Sequence, residues 1–323
     1  MQLEDYVDGV RRGDRRVLAK AITLVESRRA DHQALAQELV ERLLDASGSA
    51  IRIGITGVPG VGKSTLIGAL GAQLIEAGER VAVLAIDPTS QRSGGSIMGD
   101  KTRMERLAGD ERAFIRPSPT GGTLGGVARR TREAMLLCEA AGHGVVLIET
   151  VGVGQSEAAV ADLVDFFALL ILPGAGDGLQ GIKRGVVELA DAVVVNKADQ
   201  APTAAERAAL DYGAALELLT PLDGGWRPRV LLTSAATGSG LRELWQTVLE
   251  HRRALGAAGL AARRRRQALT WLHRLIDDEL RQRLLASPAL RRELAALEAQ
   301  VLSGRATPTR AARSLVEAFV LKK

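Results

Sequence analysis

The sequence predicts a doubly wound α/β fold: a mainly parallel sheet forming a P-loop NTPase domain, with helical extensions at its N- and C-terminal sides. Three observations predict it. Six short apolar runs recur between helix-like stretches: IRIGITG at 51–57, VAVLAID at 81–87, VVLIET at 145–150, FFALLILP at 166–173, AVVVNKAD at 192–199 and RVLLTSA at 229–235. Runs this apolar, without polar alternation, belong to strands buried on both faces of a parallel sheet. The first run leads directly into GVPGVGKST, and the fifth ends in NKAD, so two phosphate- and base-type motifs fall at strand ends.

The elements follow in order. Residues 1–48 place apolar side chains at helical spacing, as in Val17, Ala21, Leu24 and Val25, and Ser47 and Gly48 close this preface. The nucleotide domain is expected at 49–250. Beyond it the strand runs stop, and 251–323 reads as helices punctuated by Pro288 and Pro308. The 323 residues are 46% hydrophobic and 25% charged, an ordinary globular composition, with 3% aromatics leaving the core to Val, Leu, Ile and Ala.

Composition also excludes several classes. The single cysteine, Cys138, permits no disulfide within the chain and no thiolate metal cluster, which fits a reducing compartment. No run reaches the roughly 18 apolar residues of a membrane span, and MQLEDYVDGVRRGDRR lacks a signal-peptide core, so a cytoplasmic protein without a membrane partner is expected. The net charge of +5 comes from arginines that alternate with acids along helical stretches. Arg263 to Arg266 read as a solvated turn, not a nucleic-acid patch, because no aromatic residues interleave them. The four histidines, 32, 143, 251 and 273, are dispersed and read as surface or interface residues. Lysine is scarce, seven of 43 basic residues, and Lys63, Lys101, Lys183 and Lys197 all lie inside motifs.

The strongest motif is Gly57-Val58-Pro59-Gly60-Val61-Gly62-Lys63-Ser64-Thr65. Its glycines let the backbone curl so that N–H groups converge on phosphates, while the following helix presents its positive end. Lys63 is expected to reach the β- and γ-phosphates, and the Ser64 hydroxyl to ligate Mg²⁺. A carboxylate at the carboxyl end of a neighbouring strand completes such a metal site. Asp87 and Glu149 both qualify; an N-cap of the following helix is the other reading of each, and pairing with the P-loop favours the metal.

Asn196, Lys197 and Asp199 identify the base. Asp199 can accept two hydrogen bonds from guanine N1–H and its 2-amino group, a donor pair adenine lacks. Lys197 can lay its stem along the base, and Ser234, Ala235 and Ala236 close another strand where backbone N–H groups can meet guanine O6. GTP and GDP with Mg²⁺ are therefore the expected ligands.

Three further segments, DPTSQRSGGSIMGDKTRM at 87–104, ETVGVGQSE at 149–157 and PGAGDGLQGIKRGVVELAD at 173–191, join these motifs. Together they resemble the P-loop GTPases of the metallochaperone-like branch that protect and load adenosylcobalamin-dependent methylmalonyl-CoA mutase, a family also called arginine or lysine-arginine-ornithine transport ATPases or kinases. The similarity covers about residues 50–240. It implies that Asp87 and Asp100, in a first switch that also holds Arg103, approach Mg²⁺ and that Glu149 is the metal-side acid. Gly152 takes the place of the glycine that senses the γ-phosphate, and Val153 stands where other GTPases keep a water-orienting glutamine, so slow, partner-stimulated hydrolysis is implied. Gln155 is either a water-positioning residue or a switch contact. Gln180 and Lys183 fall in the segment that communicates with the mutase, where Gly178 replaces an expected acid and leaves a specific Lys183 ion pair in doubt. The family also dimerises through its helical extensions; Leu269, Leu272, Leu275, Ile276, Leu280 and Leu284 form an apolar stripe that is either an intrachain seam or, by preference, a homodimer contact.

Two rival functions fit these residues less well. A nickel metallochaperone would need metal ligands that one cysteine and dispersed histidines do not supply within one chain. A phosphotransferase acting on a transport binding protein would need a catalytic base for a protein acceptor, and NKAD speaks for guanine.

Overall fold

A computed structural model of the chain describes residues 1–27, 29–87, 104–119, 124–150, 156–174, 184–220 and 222–321. Helices α1 (Leu3–Arg11), α2 (Arg15–Glu26) and α3 (Ala30–Arg42) precede β1 (Ile51–Gly57) and α4 (Lys63–Glu76). There follow β2 (Val81–Asp87), α5 (Glu105–Ala108), β3 (Ala113–Pro119), α6 (Leu124–Ala140), β4 (Val145–Glu149), α7 (Ser156–Ala161) and β5 (Phe166–Ile171). Then come α8 (Arg184–Leu189), β6 (Ala192–Val195), α9 (Pro202–Glu217), β7 (Arg229–Leu232), α10 (Leu241–Ala286), α11 (Pro288–Leu302) and α12 (Pro308–Leu321). Among the described residues no helix is long and apolar enough to cross a membrane.

The strands form one seven-stranded sheet in the order β3-β2-β4-β1-β5-β6-β7, and every pairing is parallel. All six apolar runs became strands. The seventh, β3, escapes a reading by hydrophobicity because its AFIRPSP carries Arg116, Pro117 and Pro119; it pairs only with β2, at an edge where prolines are tolerated. The chain runs outward from β1 in both directions along the sheet, so β1 stands at the topological switch point where ligands of such folds gather.

The sheet is covered on both faces. Val146, Ile148 and Phe167 pack with α6, α7 and, from the N-terminal helices, Leu18, Ile22 and Leu39. On the other face Ile53, Ile55, Leu147 and Phe166 meet Leu66, Ile67 and Leu70 of α4 and Leu244 and Val248 of α10. The helical preface thus shares the core of the nucleotide domain. The chain divides into two compact units, 1–267 and 268–323, so the helix-rich stretch set off at 251 has its first part, to Gln267, inside the first unit. Amphipathic spacing shows that a helix buries a face, but not against what.

Charged residues explain that division. α10 breaks at Gly256 (φ 63°), and the residues flanking the break converge on Asp191, fully buried at the foot of β6. His251 Nε2 lies 3.3 Å from Asp191 Oδ1, and Arg263 Nη2 donates to Asp191 Oδ2 at 3.0 Å. The Phe167 N–H donates to the same carboxylate at 2.8 Å, and Trp226 Nε1 to the Asp191 carbonyl at 2.9 Å. Burial alone would raise the Asp191 pKa; the His251 bond and the Arg263 charge outweigh it and hold the carboxyl below its usual range. Arg264 binds Asp165 with Nε at 2.8 Å and Nη2 at 2.6 Å, and Gln267 donates to the Val164 carbonyl at 2.8 Å. Nearby, Arg52 and Glu139 form another buried pair at 2.5 Å.

Two sequence expectations are corrected here. Arg263 and Arg264 are not a solvated turn but helical residues in largely buried ion pairs. His143 and His251 are core residues, 4% and 1% exposed. His143 Nδ1 meets the Cys138 carbonyl at 3.0 Å, and burial lowers its pKa to about 4. Spacing in sequence carried no sign of the acids that await these side chains.

Asp191→Ala would leave Arg263 buried without its carboxylate. The expected cost is about 3–5 kcal/mol, read as a lower urea midpoint at neutral pH.

Candidate nucleotide site

The site is built where β1 turns into α4. Gly57 (φ 148°), Gly60 (φ 80°) and Gly62 (φ 97°) take positive φ, and two of them are also pressed by neighbours. A Cβ on Gly57 would stand 2.4 Å from the Leu170 carbonyl oxygen, and one on Gly62 would stand 2.7 Å from Asn196 Nδ2. The glycines therefore provide both the curl of the loop and its close approach to the ends of β5 and β6.

Lys63 opens α4 and is buried at its base. Its Nζ donates to the carbonyls of Gly57 at 2.8 Å and Val58 at 3.2 Å, folding the side chain back over the loop. Burial lowers its pKa, and the charges of Glu149 and Glu157 oppose that shift. The Ser64 hydroxyl donates to Glu149 Oε1 at 2.7 Å. Glu149 ends β4 level with Ile55 of β1, so the parallel register delivers a carboxylate to the first residues of the P-loop helix. A hydroxyl and a carboxylate are hard oxygen donors, and with phosphate oxygens and water they fit Mg²⁺. Among the described residues no three His, Cys, Asp or Glu side chains gather as a metal site by themselves. Beneath this pair, Thr150 Oγ1 donates to Thr56 Oγ1 at 2.7 Å.

The base motif reaches the same loop. Asn196 Nδ2 donates to the Val61 carbonyl at 2.8 Å, while its Oδ1 accepts from Thr233 Oγ1 at 3.3 Å and from the Ala235 N–H at 3.4 Å. Lys197 adopts φ 59°, left-handed and uncommon for a side-chain-bearing residue, and donates from Nζ to the Gly60 carbonyl at 3.0 Å. Asp199 is exposed just beyond it. Ser234 is buried, and its hydroxyl accepts the Thr237 N–H at 3.2 Å, shaping the loop that carries Ala235 and Ala236. A groove of about 600 Å³ runs along α4 beside the P-loop, lined by Thr65, Gly68, Ala72 and Glu76 of that helix, Leu107 of α5 and the loop at Ala235 and Ala236; residues 57–64 and 196–199 do not line it.

Of the residues singled out in sequence, 57–65, Glu149, Asn196, Lys197, Asp199 and 234–236 thus lie along one edge of the sheet. Asp87 closes β2 at that edge, and its side chain lies outside the description. Asp100, Arg103, Gly152, Gln155, Gln180 and Lys183 lie outside the described residues. Sequence reasoning missed Glu157, a buried carboxylate on α7. Its signal was present: 157, 160, 161 and 164 share one helical face on which every other residue is apolar.

A P-loop lysine, a serine bonded to a strand-end carboxylate and an NKAD loop latched onto the P-loop together define a P-loop GTPase. The chain belongs to the family described as Methylmalonyl Co-A mutase-associated GTPase MeaB, whose model matches residues 18–289. A protein of Caulobacter vibrioides carrying a GTPase name is 57% identical over 96% of this chain and 95% of its own length. The methylmalonic aciduria type A homolog of Mus musculus, a mitochondrial protein, is 47% identical over 96% of this chain and 78% of its own. The solved structure of an LAO/AO transport system kinase superposes with a TM-score of 0.80 at 39% identity, covering 98% of this chain and 97% of that one.

Gly62→Ala would force a left-handed alanine against the Asn196 amide. Strain and the disturbed Val61 bond should cost about 1–3 kcal/mol, read as a lower Tm together with weakened GTP binding.

Proposed function

We propose that this chain binds Mg·GTP, hydrolyses it slowly, and uses the nucleotide state to gate adenosylcobalamin loading, protection and reactivation of methylmalonyl-CoA mutase or a related acyl-CoA mutase in the cytoplasm. The observation that carries the nucleotide part is the latch between Asn196 and Val61 at 2.8 Å, which ties base recognition to the phosphate loop. Family membership supports the client, since the family description names the mutase.

Ser64 and Glu149 would hold Mg²⁺, joined by Asp87 and Asp100 from the first switch; the ion would neutralise phosphate charge. Lys63 would release the loop carbonyls and turn to the β- and γ-phosphates. Gly152, Gln155, Arg103, Gln180 and Lys183 belong to segments whose order would follow the terminal phosphate, which is how such proteins change partner affinity between nucleotide states. Leu269, Leu272, Ile276 and Leu280, each 46–58% exposed in the second unit, support a homodimer through the C-terminal extension.

The kinase wording attached to the similar solved structure raises the phosphotransferase alternative. Asp199 decides against it in our reading, because its carboxylate accepts the guanine donors. Asp199→Asn should weaken GTP binding by at least about tenfold and favour xanthosine triphosphate, since an amide donates where the carboxylate accepted. Competition binding with the two nucleotides checks this, and unchanged guanine preference would remove Asp199 from the base site.

The client is tested by GTP turnover of the chain alone and with an adenosylcobalamin-dependent acyl-CoA mutase from the same organism, with ATP as control. Turnover should rise about tenfold or more with the mutase and should not appear with ATP; no response to any such mutase would overturn the client assignment.

A further inference from the structure

Glu157 is 92% buried by its 8% exposure, yet its Oε2 has no hydrogen-bond partner among the described residues. An ionisable oxygen held in that condition is costly, so a buried carboxylate without a partner is a group arranged for something that arrives later.

Its place follows from the packing of α7. Val160, one helical turn further on, lies against β1 at Gly54, where a Cβ would come within 3.0 Å of the Val160 methyl. Helix α7 follows β4 across the sheet and leads back to β5, so its first turn lies toward the carboxyl edge, where β1 enters the P-loop. Three helix residues, about 4.5 Å, correspond to between one and two strand residues, which sets Glu157 beside Ile55 and Thr56. Thr56 is one half of the Thr150–Thr56 hydroxyl pair and directly precedes the first P-loop glycine, Gly57. Lys63 independently registers the Glu157 charge, which favours its protonated form.

On the reading of this chain as a GTPase, we propose that Glu157 orients the water that attacks the terminal phosphate of GTP. Its free oxygen accepts a hydrogen bond from that water. The water oxygen then bonds the terminal phosphorus, the bond from that phosphorus to the bridging oxygen breaks with its electron pair going to GDP, and the water's proton leaves with the released phosphate. The side chain comes from the helix Ser156–Ala161, five residues beyond Gly152 in the sequence.

The test is single-turnover and steady-state GTP hydrolysis by the full chain, with affinity measured separately using a non-hydrolysable GTP analogue, for wild type, Glu157→Leu and Glu157→Gln. We expect Glu157→Leu, which roughly keeps the volume but removes the acceptor oxygen, to lower kcat about 100-fold while analogue affinity stays within about threefold. Glu157→Gln, whose amide oxygen still accepts a hydrogen bond from water, should retain much of the rate. The Tm of Glu157→Leu should equal or exceed that of wild type, because Oε2 has no hydrogen-bond partner among the described residues to lose. Unchanged kcat in Glu157→Leu would overturn the assignment while leaving the GTPase intact, as would parallel losses of affinity, Tm and rate. A wild-type chain that binds the analogue but turns over no GTP would overturn both.

Discussion

The nucleotide edge depends on how closely the loop after β1 approaches the ends of β5 and β6. The Leu170 carbonyl and the Asn196 amide press against Gly57 and Gly62, leaving no room for side chains. That closeness lets one asparagine side chain bond Val61 on one side and the loop after β7 on the other. The loop after β6 and the loop after β1, held this way, cannot be displaced independently. The left-handed Lys197, bonded to Gly60, adds a second tie and places backbone strain at the functional edge.

The opposite edge of the sheet is organised by charge. β6 is only four residues long, with Asp191 before it and Asn196 after it. The foot of this strand collects an aspartate, a histidine and an arginine on both sides of the break at Gly256, and the foot of β5 collects Asp165 with Arg264. Buried ion pairs contribute little net stability compared with an apolar core, but losing one partner is expensive. Their effect here is geometric: they specify where α10 crosses the sheet, a path its arginine-rich sequence would not otherwise define.

The contrast between these edges explains what could be read in the sequence. Glycine spacing, the lysine and the NKAD carboxylate are required by the shape of a nucleotide, so their order along the chain already carries the chemistry. The five inner strands were legible because burial on both faces leaves unbroken apolar runs, and β7, at the other edge and only partly buried, was legible from its apolar VLL alone. β3 was not, since an edge strand tolerates Pro117 and Pro119, and neither were the partners of His251 and Arg263. Asp191 lies 60 residues before His251 and nothing local links them. The same holds for Glu157, which looks in sequence like any surface acid of a short helix and is 8% exposed in the fold.

Electrostatics ties the site together. Lys63 is the cation shared by two carboxylates, Glu149 and Glu157, and by two backbone carbonyls. Burial works against its charge, and the acids maintain it. A triphosphate brings several negative charges to the same place, so the acids that support Lys63 in the free protein must be offset once nucleotide binds. For Glu149 the bonded Ser64 hydroxyl marks where a divalent cation would provide that offset. Glu157 Oε2 has no hydrogen-bond partner among the described residues, and a small donor placed between it and a phosphate would bond both. Water is the donor small enough to do so, and it is also the second substrate of hydrolysis.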